Sequence, residues 1–146
     1  MWTITARRVA EPDLPVMMEL AMTAEDRARV RGRIVTPTGE LLQLQLPRGI
    51  TLHPGDILLA PTGEAVARVI AQAEAVFTVW ADHPLLLLRA AYHLGNRHVA
   101  MEITVDCLRI KPDHVLAHML EGLGLRVSEE DRPFLPEPGA YAHHHG

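Results

Sequence analysis

Residues 76–98 read Val-Phe-Thr-Val-Trp-Ala-Asp-His-Pro-Leu-Leu-Leu-Leu-Arg-Ala-Ala-Tyr-His-Leu-Gly-Asn-Arg-His. Val76–Ala81 is a short apolar run rich in β-branched and aromatic residues, the composition of a strand. Asp82-His83-Pro84 interrupts it. Asp82 is a capping residue type, and Pro84 fits the first helical turn, where a missing N–H costs nothing. Leu85–Leu94 then reads as a helix, with Gly95 as its natural stop. Further along, Val99–Val105 and Cys107–Ile110 look like two strands. Pro112-Asp113 opens a second helix, capped by Asp113 and running to Gly122 or Gly124. Leu125–Ser128 is a last short strand. The order strand, helix, strand, strand, helix, strand is the ferredoxin-like pattern.

Working outward toward the N-terminus, the first half is punctuated like a small β domain. Trp2–Val9 alternates and reads as a strand, and Val16–Met22 as a second. Arg27–Val35 alternates long polar with small or apolar residues, as a half-buried strand does. Leu41–Leu46, Ile57–Ala60 and Ala65–Ala71 follow. The turns between them are Pro37-Thr38-Gly39, Pro47-Arg48-Gly49, His53-Pro54-Gly55-Asp56 and Pro61-Thr62-Gly63. Closely spaced Pro/Gly turns between short apolar runs predict a meander or small barrel. The expected organisation is therefore α+β: a β domain over 1–72, a ferredoxin-like domain over 73–130, and a flexible histidine-bearing tail over 131–146. That tail holds Pro133, Pro136, Pro138 and Gly139 and lacks usable periodicity.

The totals narrow the function classes. With 48% hydrophobic and 22% charged residues over 146, a packed core is expected rather than disorder. Aromatics are only 4%, so that core is aliphatic. The net charge of -4 argues against general nucleic-acid binding, which needs a basic surface. A single cysteine, Cys107, makes no internal disulfide and rules out a Cys-x-x-Cys metal site, which fits a reducing compartment. The N-terminus lacks the features of a signal peptide, and the longest apolar run, Pro84–Ala91, is far too short to span a bilayer. A cytoplasmic protein without a membrane partner is expected.

The histidines carry the chemistry. Imidazole suits nickel, copper and zinc. His98 follows the predicted helix stop and begins a strand, so it sits at an element boundary. One histidine cannot complete a metal site, but a two-fold dimer presents the same residue twice. His143, His144 and His145 close the chain. Adjacent histidines on a flexible segment can turn toward one ion. They read as a native tail rather than a tag remnant, because the preceding Pro-Gly-Ala-Tyr-Ala does not resemble a linker. His114 and His118 are four apart and share one helical face. That face is read as solvated, with Val115, Leu116, Met119, Leu120 and Leu123 turned to the core. His93 falls in a helix's last turn, where the dipole favours it. His53 and His83 precede prolines in turns and receive no role. Cys107 reads as a small buried hydrophobe. A His-Glu-x-x-His motif, a phosphate loop, a dinucleotide fingerprint and a nucleophile elbow are all missing, so an enzyme is not expected.

Tyr92-His93-Leu94-Gly95-Asn96-Arg97-His98, Asp113-His114-Val115-Leu116, Met119-Leu120, Leu123-Gly124-Leu125, the Pro-Gly-Ala-Tyr segment at 138–141 and the terminal histidines together resemble the UreE family of urease accessory nickel chaperones. In the first half, Leu46-Pro47-Arg48-Gly49 and Gly55-Asp56-Ile57-Leu58 match in kind and order. The likeness covers essentially the whole chain. It implies a peptide-binding-like β domain, a ferredoxin-like metal-binding domain, and a homodimer joined through the second domain, with higher oligomers in the presence of metal. It implies that His98 and its symmetry mate bind one Ni(II), with help from the tail histidines. Zn(II) or Cu(II) would suit the same imidazoles in vitro. The implied partners are the urease accessory GTPase and the apo-urease assembly complex. Where some members carry another histidine before the Asp-His pair, this chain has Lys111-Pro112, leaving only His114 of that peripheral cluster. The rival reading is a metal-independent protein- or RNA-interaction module, since RNA-recognition domains share the same element order.

Overall fold

The computed structural model describes residues 1–139. The chain divides into two compact units, one over Met1–Gln72 and one over Ala73–Pro138. His143, His144 and His145 lie outside the described residues, as does Tyr141.

The first unit is built from two small sheets. β1 (Trp2–Ile4) and β2 (Ala6–Arg8) share the stretch expected to be one strand. The chain changes sheet at Thr5: β1 pairs parallel with β5 (Leu41–Gln45), and β2 pairs antiparallel with β6 (Ile57–Leu59). β4 (Arg31–Val35) completes the first sheet, in the order β1-β5-β4. β3 (Met18–Met22) and β7 (Ala65–Ala71) complete the second, in the order β2-β6-β7-β3. The expected strand over 27–35 starts late, because residues 24–28 form a short helix, α1 (Ala24–Ala28). A reciprocal cap explains it: the Asp26 N–H donates to Thr23 Oγ1 at 3.2 Å, and the Thr23 N–H donates to Asp26 Oδ2 at 3.1 Å. Alternate strand residues, among them Ile4, Leu20, Leu42, Leu44, Leu58 and Val66, fill an aliphatic core.

The second unit runs β8 (Ala73–Trp80), α2 (Pro84–Asn96), β9 (Glu102–Ile103), β10 (Cys107–Ile110), α3 (His114–Gly122) and β11 (Arg126–Pro133). Its strands order β11-β8-β10-β9 with every neighbouring pair antiparallel, the ferredoxin-like arrangement. Phe77, Val79, Leu108 and Ile110 from the sheet meet Ala90 and Leu94 of α2 and Ala117 and Leu120 of α3 in one core. Both helices therefore lie on one face.

Three expectations change. Gly95 does not stop α2, which continues to Asn96. Residues 99–101 are not strand; pairing begins at Glu102. The start of the expected tail is structured. β11 pairs with β8 over eight residues, from Arg126 opposite Trp80 to Pro133 opposite Ala73. Phe134 is then fully buried, and the Glu137 N–H donates to the Met101 carbonyl at 2.8 Å. β11 and β9 are opposite edges of the sheet, so residues 134–137 cross from one edge to the other as a strap. Phe134→Ala should therefore lower unfolding free energy by about 3–5 kcal/mol in a denaturant titration, the usual cost of emptying a buried phenylalanine site. A change below about 1 kcal/mol, normal for an exposed position, would contradict the packed strap.

Candidate metal centre

His98 is the one described non-glycine residue with a positive φ, at 56°. It ends α2 in a specific way. With Arg97 as C-cap, the His98 N–H donates to the Gly95 carbonyl at 3.0 Å, and the Val99 N–H reaches back to the Leu94 carbonyl at 3.1 Å. These two bonds satisfy carbonyls that the helix end would otherwise orphan, and Val99 packs in the same apolar cluster as Leu94. α3 ends in the same motif. There the Gly124 N–H donates to Glu121 and the Leu125 N–H to Leu120, each at 3.0 Å. In α3 the left-handed position is glycine, at φ 98°. In α2 it is a histidine, whose Cβ makes that conformation costly. The ring is left exposed at the helix end.

Sheet register brings further segments to this end of the unit. Glu102 stands opposite Arg109 in antiparallel pairing, so the residues before β9 run beside those after β10. Val99 and Ala100 share a hollow of about 210 Å³ with Lys111, Pro112 and Asp113. The end of α2, carrying His98, and the start of α3, carrying His114, thus lie at one end of the sheet. His114 and His118 are exposed, as expected. The His114 ring also packs edge-on against Phe77, centroids 5.8 Å apart. The helical wheel is corrected on its far side. Val115 is 80% exposed, Leu123 is also exposed, and Ala117 takes a core position. Among the described residues, no three His, Cys, Asp or Glu side chains are grouped to hold a metal.

Other histidines have structural work. His83 is the N-cap of α2, its Nδ1 accepting from the Leu85 N–H at 3.2 Å. Asp82, expected to cap, instead pairs with Arg126 at 3.0 Å. The His93 ring meets Tyr92 edge-on at 5.4 Å. Cys107 is buried, and its N–H donates to Thr104 Oγ1 at 3.0 Å.

The sequence reading missed a buried polar network on the sheet face away from the helices. Arg109, 6% exposed, donates to Glu102 Oε2 at 2.7 Å, and Glu102 Oε1 accepts the Leu135 N–H at 2.9 Å. The buried Thr78 hydroxyl donates to Glu130 at 2.8 Å. That bond holds the Glu130 carboxyl below its ordinary range; partial burial opposes the shift, and Arg132 and Arg109 reinforce it. A lone Phe134 among prolines was the one available signal, in a chain with only two phenylalanines.

Two family profiles match the chain: the UreE urease accessory protein N-terminal domain over residues 4–71, and its C-terminal domain over residues 74–146. The urease accessory protein UreE of Nostoc punctiforme is 54% identical over 145 residues, covering 99% of this chain and 98% of that relative. Its namesake in Thermosynechococcus vestitus is 50% identical over 127 residues, covering 87% and 88%. That of Pseudomonas putida is 44% identical over 139 residues, covering 94% and 83%.

The left-handed histidine yields a direct test. His98→Gly should stabilise the protein by about 1 kcal/mol, because glycine enters this conformation without steric cost. His98→Ala should give no such gain. Equal effects of the two substitutions in thermal unfolding would show that the backbone at 98 carries no strain.

Proposed function

Because the chain belongs to the UreE urease accessory protein family, we propose that it is a nickel metallochaperone that delivers Ni(II) for assembly of the urease active site. Membership places it among accessory proteins of urease rather than among enzymes. The nickel is cargo in this reading, not a resident cofactor.

The observation that carries the proposal is His98. A residue that would be cheaper as glycine holds an exposed imidazole at the end of a well-formed helix. Strain kept at a chemically capable side chain is the mark of a site used for something other than stability. One imidazole does not make a nickel site, so the ion is shared by His98 of two copies about a two-fold axis. The outer face of α2 supports pairing. Leu85, Leu88 and Tyr92, spaced along one face, are 45%, 68% and 66% exposed, an apolar stripe leading toward the His98 end. His143, His144 and His145 then add ligands from the tails, and His114, at the same end of the sheet, offers a weaker peripheral contact. Zinc and copper would occupy the same imidazoles in vitro. Selectivity for nickel then comes from geometry and supply, since copper outranks it in raw affinity.

Such a site suits transfer. Ligands from two subunits and two tails can be exchanged one at a time toward an acceptor. The acceptors are the urease accessory GTPase and the apo-urease assembly complex, with the first unit docking a partner peptide and nucleic acid playing no part. The working compartment is the cytoplasm, consistent with the unpaired Cys107. No described helix is long and apolar enough to cross a membrane.

Calorimetric titration with nickel at neutral pH tests the reading. One tight ion per dimer is expected, abolished by His98→Ala. Tight binding unchanged in that variant would move the site elsewhere, and metal-independent partner binding indifferent to His98 would favour a plain interaction module. Imidazole must be neutral to ligate, so affinity should fall steadily as pH drops from 7.5 toward about 5, through the ordinary imidazole range. A flat affinity across that interval would contradict histidine ligation.

A further inference from the structure

We infer that the groove between α2 and the β9–β10 turn docks a helical partner segment whose apolar face is flanked by arginine or lysine. The inference concerns partner recognition, goes beyond the nickel reading and does not depend on it.

The sheet extends past the helices that cover it. α2 packs on β10, and α3 on β11. Ile103 of β9 stands opposite Leu108 of β10, and Leu108 belongs to the core beneath the helices. Directly opposed residues share a sheet face, so Ile103 also points to the helical side. No described helix covers it, and it is 48% exposed. The result is a hollow of about 380 Å³, with α2 on one side, the β9–β10 turn on the other and Leu108 in its lining. Leu88, on the helix wall, is exposed as well. Apolar side chains left uncovered together mark an interaction surface, as single ones do not. A helix laid beside α2 over β9 would continue the existing layer.

The turn supplies an independent observation. Val105 lines the hollow from the tip of the turn and is 95% exposed. Turn tips favour Gly, Asn, Asp and Ser, and a β-branched residue contributes nothing to the turn itself. The turn is nevertheless held firmly. The Thr104 N–H and hydroxyl donate to the Cys107 carbonyl at 2.9 and 3.0 Å, and the Cys107 N–H donates to Thr104 Oγ1 at 3.0 Å. Val105 is thus a fixed apolar wall without a folding role, the kind of local misfit expected where a surface is used.

Charge selects the occupant. Two charged residues line the hollow, Asp82 and Asp106, and both are acidic. Asp82 already pairs with Arg126. Asp106 is exposed and has no ion-pair partner among the described residues. A cationic segment meets a complementary potential there. A second copy of this unit brings the wrong sign, because acidic side chains outnumber basic ones ten to six over residues 73–138.

The test follows the fluorescence anisotropy of a labelled amphipathic helical peptide of about 15 residues, leucines along one face and arginines along the other, titrated with the full chain. A peptide with glutamates in place of the arginines is the control. The arginine peptide should bind about tenfold more tightly than the control or better. Val105→Ser should weaken its binding about tenfold, the loss of one buried apolar contact. Asp106→Asn should weaken it about threefold and flatten its salt dependence. Both substitutions fall in an exposed turn, so thermal unfolding should stay as in the unaltered protein. Leu88 is kept because it also belongs to the outer stripe of α2. The inference is overturned if the two peptides bind alike, if neither binds, or if binding ignores both substitutions. It is also overturned if Val105→Ser changes the oligomeric state in sedimentation, as a groove filled by a second copy requires.

Discussion

Each helix of the second unit covers the same sheet face, and each must return the chain to a fixed end of the next strand. This connectivity is the constraint on which the rest depends. α2 carries the chain back from the end of β8 while packing on β10, and α3 carries it back from the end of β10 while packing on β11. Because β8 and β10 are antiparallel neighbours, the end of α2 and the start of α3 fall at one end of the sheet. The start of β9 joins them there through its pairing with β10. No residue in this cluster needs a special side chain to arrive; the antiparallel ladder delivers it. What the individual side chains decide is how each helix finishes at that end and what it exposes.

His98 is the place where local economy gives way. The two helices end in the same hydrogen-bonding motif, yet only α3 uses glycine at the left-handed position. Histidine at that position carries a backbone cost that glycine would avoid. Other histidines show no comparable conflict: His83 caps a helix, His93 meets Tyr92 edge-on, and His114 rests against Phe77. Backbone strain thus separates the proposed ligand from its neighbours more sharply than exposure does.

The ferredoxin-like order was legible because its strands and helices have different periods and clear punctuation. Cys107–Ile110 and Ala65–Ala71 are strands over the predicted bounds. The end of α2 differs from the expected stop for a physical reason. Gly95 is a good terminator in isolation, but the turn closes where Val99 can pack with Leu94, and that places the left-handed residue at 98. The strand at 126–133 was cut short because its open face is polar: Glu130 answers Thr78 and Arg109 rather than an apolar core. A charged strand paired to a buried partner carries no apolar alternation, so periodicity cannot reveal it. The strap was invisible for a related reason. Its acceptor, Glu102, is distant in sequence and buried only because Arg109 pairs with it. Of the candidate site, the identity of His98 was readable and its strained backbone was not.

The central claim is that one nickel ion sits between two copies of His98. Diffraction from crystals of the nickel-loaded protein, recorded on both sides of the nickel absorption edge, tests it most directly. The account predicts one strong anomalous peak on a two-fold axis, with an imidazole nitrogen of His98 from each subunit bound to it. A peak confined to His114 and His118, or nickel bound within a single subunit away from His98, would contradict it.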